Sequence, residues 1–331
     1  MKKIIVISVL VLAVAALTLY GVSVAQTTPK GDLVLTAKKV KSAPKDANSS
    51  QWNQSKESNL VLVGAGKIEG KVIELKAKSV YTKDDIFFRF EWPDKDKSMD
   101  KNAWKFTGGN WVKQKANEDR LGVLWEINRV DKFATKGCAI LCHNESKNNE
   151  EWYYAVNSPR EKADLWHWKS VRSNPVGFTE DGFVIDNPKK VPEEGRKRDG
   201  GNKPYKAGDN RTKDKKGPAF AQDPAKKASF PGSLLKSEAI ELTSAHTPRE
   251  GDRLPGYVLN ANWKESFGDV KTQGVWKDGK WTVMLSRMLD TGNDDDVQYN
   301  TRKKYSFAIG VFDNSGAENS YNSDPLKLQF K

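Results

Sequence analysis

The stretch "GCAILCHNESKNN", residues 137–149, holds both cysteines of the chain and one of its three histidines. Cys138 and Cys142 are separated by three residues, and His143 follows at once. Two thiols and an imidazole at this spacing can do three kinds of chemistry. They can add to the vinyl groups of a haem while the histidine binds its iron, although the usual attachment motif has only two residues between the cysteines. They can close a small disulfide loop. They can also hold a metal ion as a knuckle, but adjacent Cys142 and His143 fit one tetrahedral ion poorly together with Cys138, and no second ligand pair follows.

The N-terminus bears on the choice through the compartment. Lys2 and Lys3 precede an apolar run from Ile4 to about Tyr20, and Ser23-Val24-Ala25 puts small residues at the −3 and −1 positions. The expectation is a signal peptide over residues 1–25 and a mature chain, residues 26–331, in the periplasm or otherwise exported. The alternative is an uncleaved anchor, since the apolar stretch is long enough to span a bilayer. No later segment is that apolar, so no membrane contact is expected once the leader is cut. In an oxidising space a cysteine pair usually forms a disulfide. A loop this small would remove little unfolded-state entropy, so the motif reads as chemistry more than as a staple.

The net charge is +12, and removing Lys2 and Lys3 leaves 53 basic against 43 acidic residues. That balance invites a nucleic-acid reading. Export argues against nucleic acid, and the charge is uneven: Lys189–Lys227 carries 13 Lys/Arg against 6 Asp/Glu. The segment from about 188 to 230, rich in Gly, Pro and Lys and without apolar periodicity, reads as a long polar surface insertion. A sharper reading makes it a docking patch for an acidic partner.

The remaining chain must supply the elements that position the cysteine motif, and it reads as strands. "DDIFFRFEWPD" (84–94) alternates Ile86, Phe88, Phe90 and Trp92 against Phe87, Arg89 and Glu91, the period of a half-buried strand. "RLGVLWEIN" (120–128) is a second apolar run. "GVWKDGKWTVMLSRML" (274–289) predicts a hairpin turning at Asp278-Gly279, with Trp281, Val283 and Leu285 on one face. "KKYSFAIGVFDN" (303–314) sets Tyr305, Phe307, Ile309 and Val311 against small Ala308 and Gly310. With no repeat and no strand–helix alternation, this is all-β: a single antiparallel sandwich domain. "EKADLWHWKSVRSNPVGF" (161–178) follows the cysteines. As an extended segment it points Trp166 and Trp168 one way and His167 with Lys169 the other. Tryptophans clustered beside a histidine can house a flat apolar cofactor, or can simply be core.

"GCAILCH" followed by "EKADLWHWKSVRSNPVGF" resembles the haem-binding domain family of the ethylbenzene dehydrogenase gamma subunit, also called the cytochrome c-552/dimethylsulfoxide-reductase-like haem-binding domain. "DDIFFRFEWPD", "GKWTVMLSRML", "TGNDDDVQYN" (291–300) and "KKYSFAIGVFDNSG" extend the likeness over nearly all of the mature chain except the basic insertion. The resemblance implies an immunoglobulin-like antiparallel β-sandwich carrying one haem in periplasmic electron transfer. In gamma subunits of molybdenum dehydrogenases that haem is b-type, held by methionine and lysine. The Cys-x3-Cys-His motif looks like the c-type branch instead, and those two ligands are not carried over.

On that basis c-type haem is favoured over b-type. Cys138 and Cys142 are expected to hold it, His143 to bind the iron, and Trp166 and Trp168 to line the cofactor. His167 leads for the sixth ligand, ahead of His246, Met284 and Met288. An electron-transfer protein without catalysis of its own is expected, because no catalytic constellation stands out. Its partners would be redox proteins, a molybdenum oxidoreductase or another cytochrome. A carbohydrate-binding module, built on a similar sandwich with exposed tryptophans, is the third class.

Overall fold

A computed structural model of the protein describes residues 31–201, 209–243, 246–260, 263–317, 319–322, 324 and 326–331. The expected signal peptide lies outside the described residues. Alternating apolar segments become thirteen strands of one sheet: β1 (Val34–Lys39), β2 (Ser58–Gly64), β3 (Val72–Tyr81), β4 (Asp85–Pro93), β5 (Arg120–Glu126), β6 (Ala163–Lys169), β7 (Gly182–Val184), β8 (Arg196–Arg198), β9 (Lys271–Lys277), β10 (Lys280–Met288), β11 (Tyr305–Phe312), β12 (Ser320–Asn322) and β13 (Leu326–Phe330). Helix is confined to short turns, among them α1 (Phe133–Lys136) and α2 (Cys138–Leu141).

The sheet folds over on itself into two layers. One runs β8-β7-β6-β5-β11 and the other β3-β4-β10-β9. Between β11 and β3 the join is split. β11 pairs with β13 through Tyr305–Phe307 and with β12 through Gly310 and Val311. β3 correspondingly takes β2 along Val72–Ala77 and β1 along Ser79–Tyr81. This is the expected antiparallel β-sandwich with short helices and a long polar insertion. One departure is that β1 runs parallel to both its neighbours, β13 and β3.

The inner faces carry the residues that the alternation picks out. Phe88, Phe90 and Trp92 of β4, with Trp281, Val283 and Leu285 of β10, meet Val123 and Trp125 of β5 and Trp166 and Trp168 of β6. The rings interlock edge-on: Trp168 lies 5.0 Å from Trp281 and 6.0 Å from Trp92, and Phe88 lies 5.8 Å from Trp166. Edge-to-face contacts of this kind add to the gain from burial. The β9–β10 turn uses Asp278 (φ 51°) and Gly279 (φ 71°), the two positive φ values of a type I′ hairpin. The basic insertion is not loop throughout. Arg196–Arg198 is edge strand β8, and Phe220–Gln222 pairs with Ala239–Glu241.

Next to the hairpin, the Asp94 amide donates to the Gly279 carbonyl (2.8 Å), while its carboxylate Oδ2 has no partner among the described residues. Burial, then Asp119 and Asp313, push its pKa up to about 7. The unfolded chain ionises near 3.9, so the protonated group contributes stability below about pH 4 that is lost as pH rises towards 7. Asp94→Asn is expected to stabilise the protein at pH 8 by about 1–2 kcal/mol, a figure discounted for screening, and to do little at pH 4. Urea unfolding at the two pH values measures this; equal gains at both would remove Asp94 as the titrating group.

Candidate functional site

The outer face of the β5–β6–β11 layer is the unusual one. All seven residues of β6 are buried, so this strand is covered on both sides. The cover is the β5–β6 connection itself, which folds α1 and α2 back onto the sheet. Leu124, Leu165 and Ala308 from the sheet meet Phe133, Cys138 and Leu141 from the cap. Gly137 joins the two single-turn helices at φ 50°, ψ −128°, a conformation that glycine takes without steric cost. Leu141 O accepts from the Ala155 amide at 3.1 Å, and the Tyr154 amide donates to Pro192 of the insertion at 3.2 Å. Gly195 permits this lashing, because a Cβ there would lie 1.9 Å from the Tyr154 carbonyl oxygen.

Beneath the cap the sheet forms a floor in which two glycines open a gap in the side chains. Gly310 pairs with Gly122, and Gly122 with His167, so two glycines and the imidazole form one row across three strands. A Cβ at Gly122 would meet only Phe312, at 3.8 Å, and one at Gly310 nothing closer than 3.6 Å. Cys138, Cys142, Tyr154, Phe312 and Asn319 surround this floor.

The two cysteines are free thiols, not a disulfide. The hydrogen bond with Cys138, together with burial, pushes the Cys142 pKa up, so this thiol stays protonated at neutral pH. His143 stacks on Trp152 (4.2 Å) and meets Tyr321 edge-on (4.3 Å). Its Nε2 lies 3.2 Å from Asn319 Nδ2, and its Nδ1 has no partner among the described residues. Burial pushes its pKa down to about 4. His167 is 3% exposed, with neither ring nitrogen hydrogen-bonded among the described residues. Burial, then Arg196 and Lys169, holds its pKa well below the usual range. Both imidazoles are therefore neutral at pH 7, the form that binds a metal.

Around His167 lies a charged shell with little access to water. Lys169 reaches Glu180 at 2.5 Å, Arg196 reaches Glu180 at 3.0 Å, and Arg172 reaches Glu118 at 2.6 Å. Burial alone would raise the Glu180 carboxyl; Lys169, Arg196 and Arg172 hold it at about 2. Arg120 and Arg198 join this shell, Arg120 beside Glu118 and Arg198 beside Glu180.

Not every expected site residue comes to this place. Trp166 and Trp168 lie in the sandwich core, so the sheet itself separates them from the thiols. Met284 packs with Trp52 and Phe87 on the outer face of the opposite layer. Met288 and His246 are exposed. His143 lines a cleft of about 230 Å³ with Trp152, Tyr154 and Phe312, whereas the space over the glycines is about 30 Å³. The donor set (two free thiols and two neutral imidazoles with unused nitrogens) suits a haem. Both spaces fall short of the roughly 300–1,000 Å³ of ordinary ligand sites.

A family model described as ethylbenzene dehydrogenase matches residues 49–323, which include the floor, the cap and β6. The chain belongs to this family. No curated protein matches the sequence. Two solved structures are similar at low identity. One is a family 9 carbohydrate-binding module from Caldicellulosiruptor kristjanssonii in complex with glucose, with 8% identity, TM-score 0.36 and coverage of 90% of this chain and 95% of that one. The other is a putative carbohydrate-binding protein from Bacteroides uniformis, with 9% identity, TM-score 0.39 and coverage of 91% and 100%.

Reading the sequence alone misses Asn319, Phe312, Tyr154 and Glu180, which reach the site from distant segments. The paired small residues at 122 and 310 were the available signal. Because the Cys142 thiol is protonated and half-covered, iodoacetamide at pH 7.5 is expected to label it at least about ten-fold more slowly in the native haem-free chain than in urea. Equal rates by mass spectrometry would show that the cap does not shield it.

Proposed function

We propose that this chain is an exported electron-transfer protein that carries one haem between the Gly122–Gly310 floor and the cap. Cys138 and Cys142 hold the haem covalently and His143 is the axial ligand. The observation that carries this reading is that two free thiols lie over a sheet surface opened by Gly122 and Gly310, with the neutral imidazole of His143 in the adjoining cleft that Cys142 also lines. His167 is the leading sixth ligand, because a buried imidazole with two unused nitrogens is otherwise a cost without return. The cation-rich shell of Arg120, Lys169, Arg172, Arg196 and Arg198 suits the anionic edge of a haem. Bound there, haem supplies a one-electron iron couple. The chain's part is to orient the iron ligands, exclude water and set the local charge.

Membership of the ethylbenzene dehydrogenase family supports a partner that is itself an oxidoreductase, of the molybdenum type, or another cytochrome. The signal-peptide pattern supports a periplasmic location. The carbohydrate reading rested on exposed tryptophans, and none of the eleven is exposed.

After denaturing electrophoresis the wild-type band is expected to keep haem-dependent peroxidase staining, and Cys138→Ala/Cys142→Ala to lose it. Complete extraction of haem by acid–acetone would make the group b-type and noncovalent. His143→Ala is expected to abolish the low-spin spectrum or haem incorporation. His167→Ala is expected to leave haem attached and high-spin, and an unchanged low-spin spectrum would transfer the sixth position elsewhere.

The insertion keeps Lys213, Lys215, Lys216, Lys226 and Lys227 exposed. If it docks the partner, stopped-flow electron transfer slows steeply as ionic strength rises beyond about 0.15 M, where the screening length is about 8 Å. A flat salt series would leave the insertion without that role.

A further inference from the structure

On the inner face of β6, Asp164 meets a second set of charges unrelated to the cysteine motif. Arg287 of β10 is fully buried and reaches Asp164 at 2.8 Å, Asp296 at 3.0 Å and Asp181 at 3.4 Å, all of them fully buried. One guanidinium thus answers three carboxylates. Two more stand beside them, Asp199 (4% exposed) and half-buried Asp295. One oxygen each from Asp199, Asp295 and Asp296 lies within 4.8 Å of the others.

Acidic clusters are common, and this one is set apart by Asp199. Its Oδ1 is buried and without a hydrogen-bond partner among the described residues, and its carboxylate lies beside those of Asp295 and Asp296. Its other oxygen accepts from the Ser266 hydroxyl, at 3.3 Å. A buried carboxylate oxygen with no donor is costly unless a proton or a cation answers it. Asp296 Oδ2 is satisfied by Thr291 and Asn293, while Oδ1 keeps a lone pair beyond its bond to Arg287. Asp295 opens onto a surface depression lined by Gly200, Glu265, Ser266, Asn293 and Asp294, which gives a path from solvent.

We propose that Asp199, Asp295 and Asp296 bind a calcium-class divalent cation. The donors are all oxygen, with neither sulfur nor imidazole, which disfavours zinc. Calcium accepts six to eight oxygens in irregular arrangement, and the open side leaves room for water. The cation completes the neutralisation that Arg287 begins, and it ties the 291–300 loop to the strand end at Asp199. Burial and the neighbouring carboxylates otherwise push Asp199 up to about 9, so that a proton takes the cation's place. This site is independent of the haem reading.

The test uses the full mature chain, stripped with EDTA and then titrated with CaCl₂ alone, reading calorimetric binding and the thermal midpoint. A native-state ligand raises the midpoint. Wild type is expected to bind one Ca²⁺ and to melt higher with it than in EDTA. Asp199→Asn and Asp295→Asn are expected to lose roughly ten-fold or more in affinity. In EDTA, Asp199→Asn is expected to melt no lower than wild type, since it replaces a protonated, neutral carboxyl with a neutral amide. Asp295→Asn, half-exposed, keeps the test valid if Asp199→Asn misfolds. No calcium shift in wild type overturns the proposal. So does an equal shift in wild type and both variants, which places the ion elsewhere, or an equal response to MgCl₂, which removes the calcium class.

Discussion

The constraint on which this structure turns is that β6 is buried on both faces. An antiparallel strand in a sandwich ordinarily keeps one side for water. Here neither side has it, so each polar side chain of "ADLWHWK" must be answered by protein. Asp164, on the inner face, draws Arg287 across from the opposite layer. Lys169, on the outer face, draws Glu180 from the turn before β7. His167 has no hydrogen-bond partner for its ring among the described residues and stays neutral instead. The two places where chemistry concentrates are the inner and outer answers to the same buried strand.

Double burial also explains why the tryptophans and the thiols part company. Alternation along 161–178 already set Trp166 and Trp168 against His167, and the sheet keeps that division. The tryptophans fill the interior, and the outer face is left to Gly122, Gly310, Ala308, two leucines, His167 and the cap. What binds there meets His167 without meeting either indole.

Much of the frame was legible because it follows local rules. The alternation in 84–94 and 303–314, the Asp-Gly turn and the one-sided hairpin arm each depend on side chains a few residues apart. The cap was not legible. Its helices are single turns joined by a glycine and tied through the Leu141 carbonyl to the Ala155 amide, and no periodic pattern announces them. Nor was the charged shell. Glu118, Glu180 and Arg196 are unremarkable in their own segments and gain meaning only when strands distant in sequence lie side by side. The acidic run 294–296 reads as a polar loop until Arg287 is seen behind it. The basic insertion hid two short strands for the same reason: Arg196 and Arg198 look solvent-directed until Glu180 is placed beneath them.

The split join between the layers sets an order on how the molecule comes into being. β1 closes the ring by lying parallel to β13, and Gln329 reaches back across 293 residues to Thr36 at 3.0 Å. Contacts of such sequence separation cost the most loop-closure entropy and form late. A chain that stops short of Leu326 leaves β1 and part of β11 with bare edges, which invite pairing with another molecule. The seam thus acts as a check on completeness: the first strand of the described fold gains its second neighbour only when nearly three hundred later residues have been delivered.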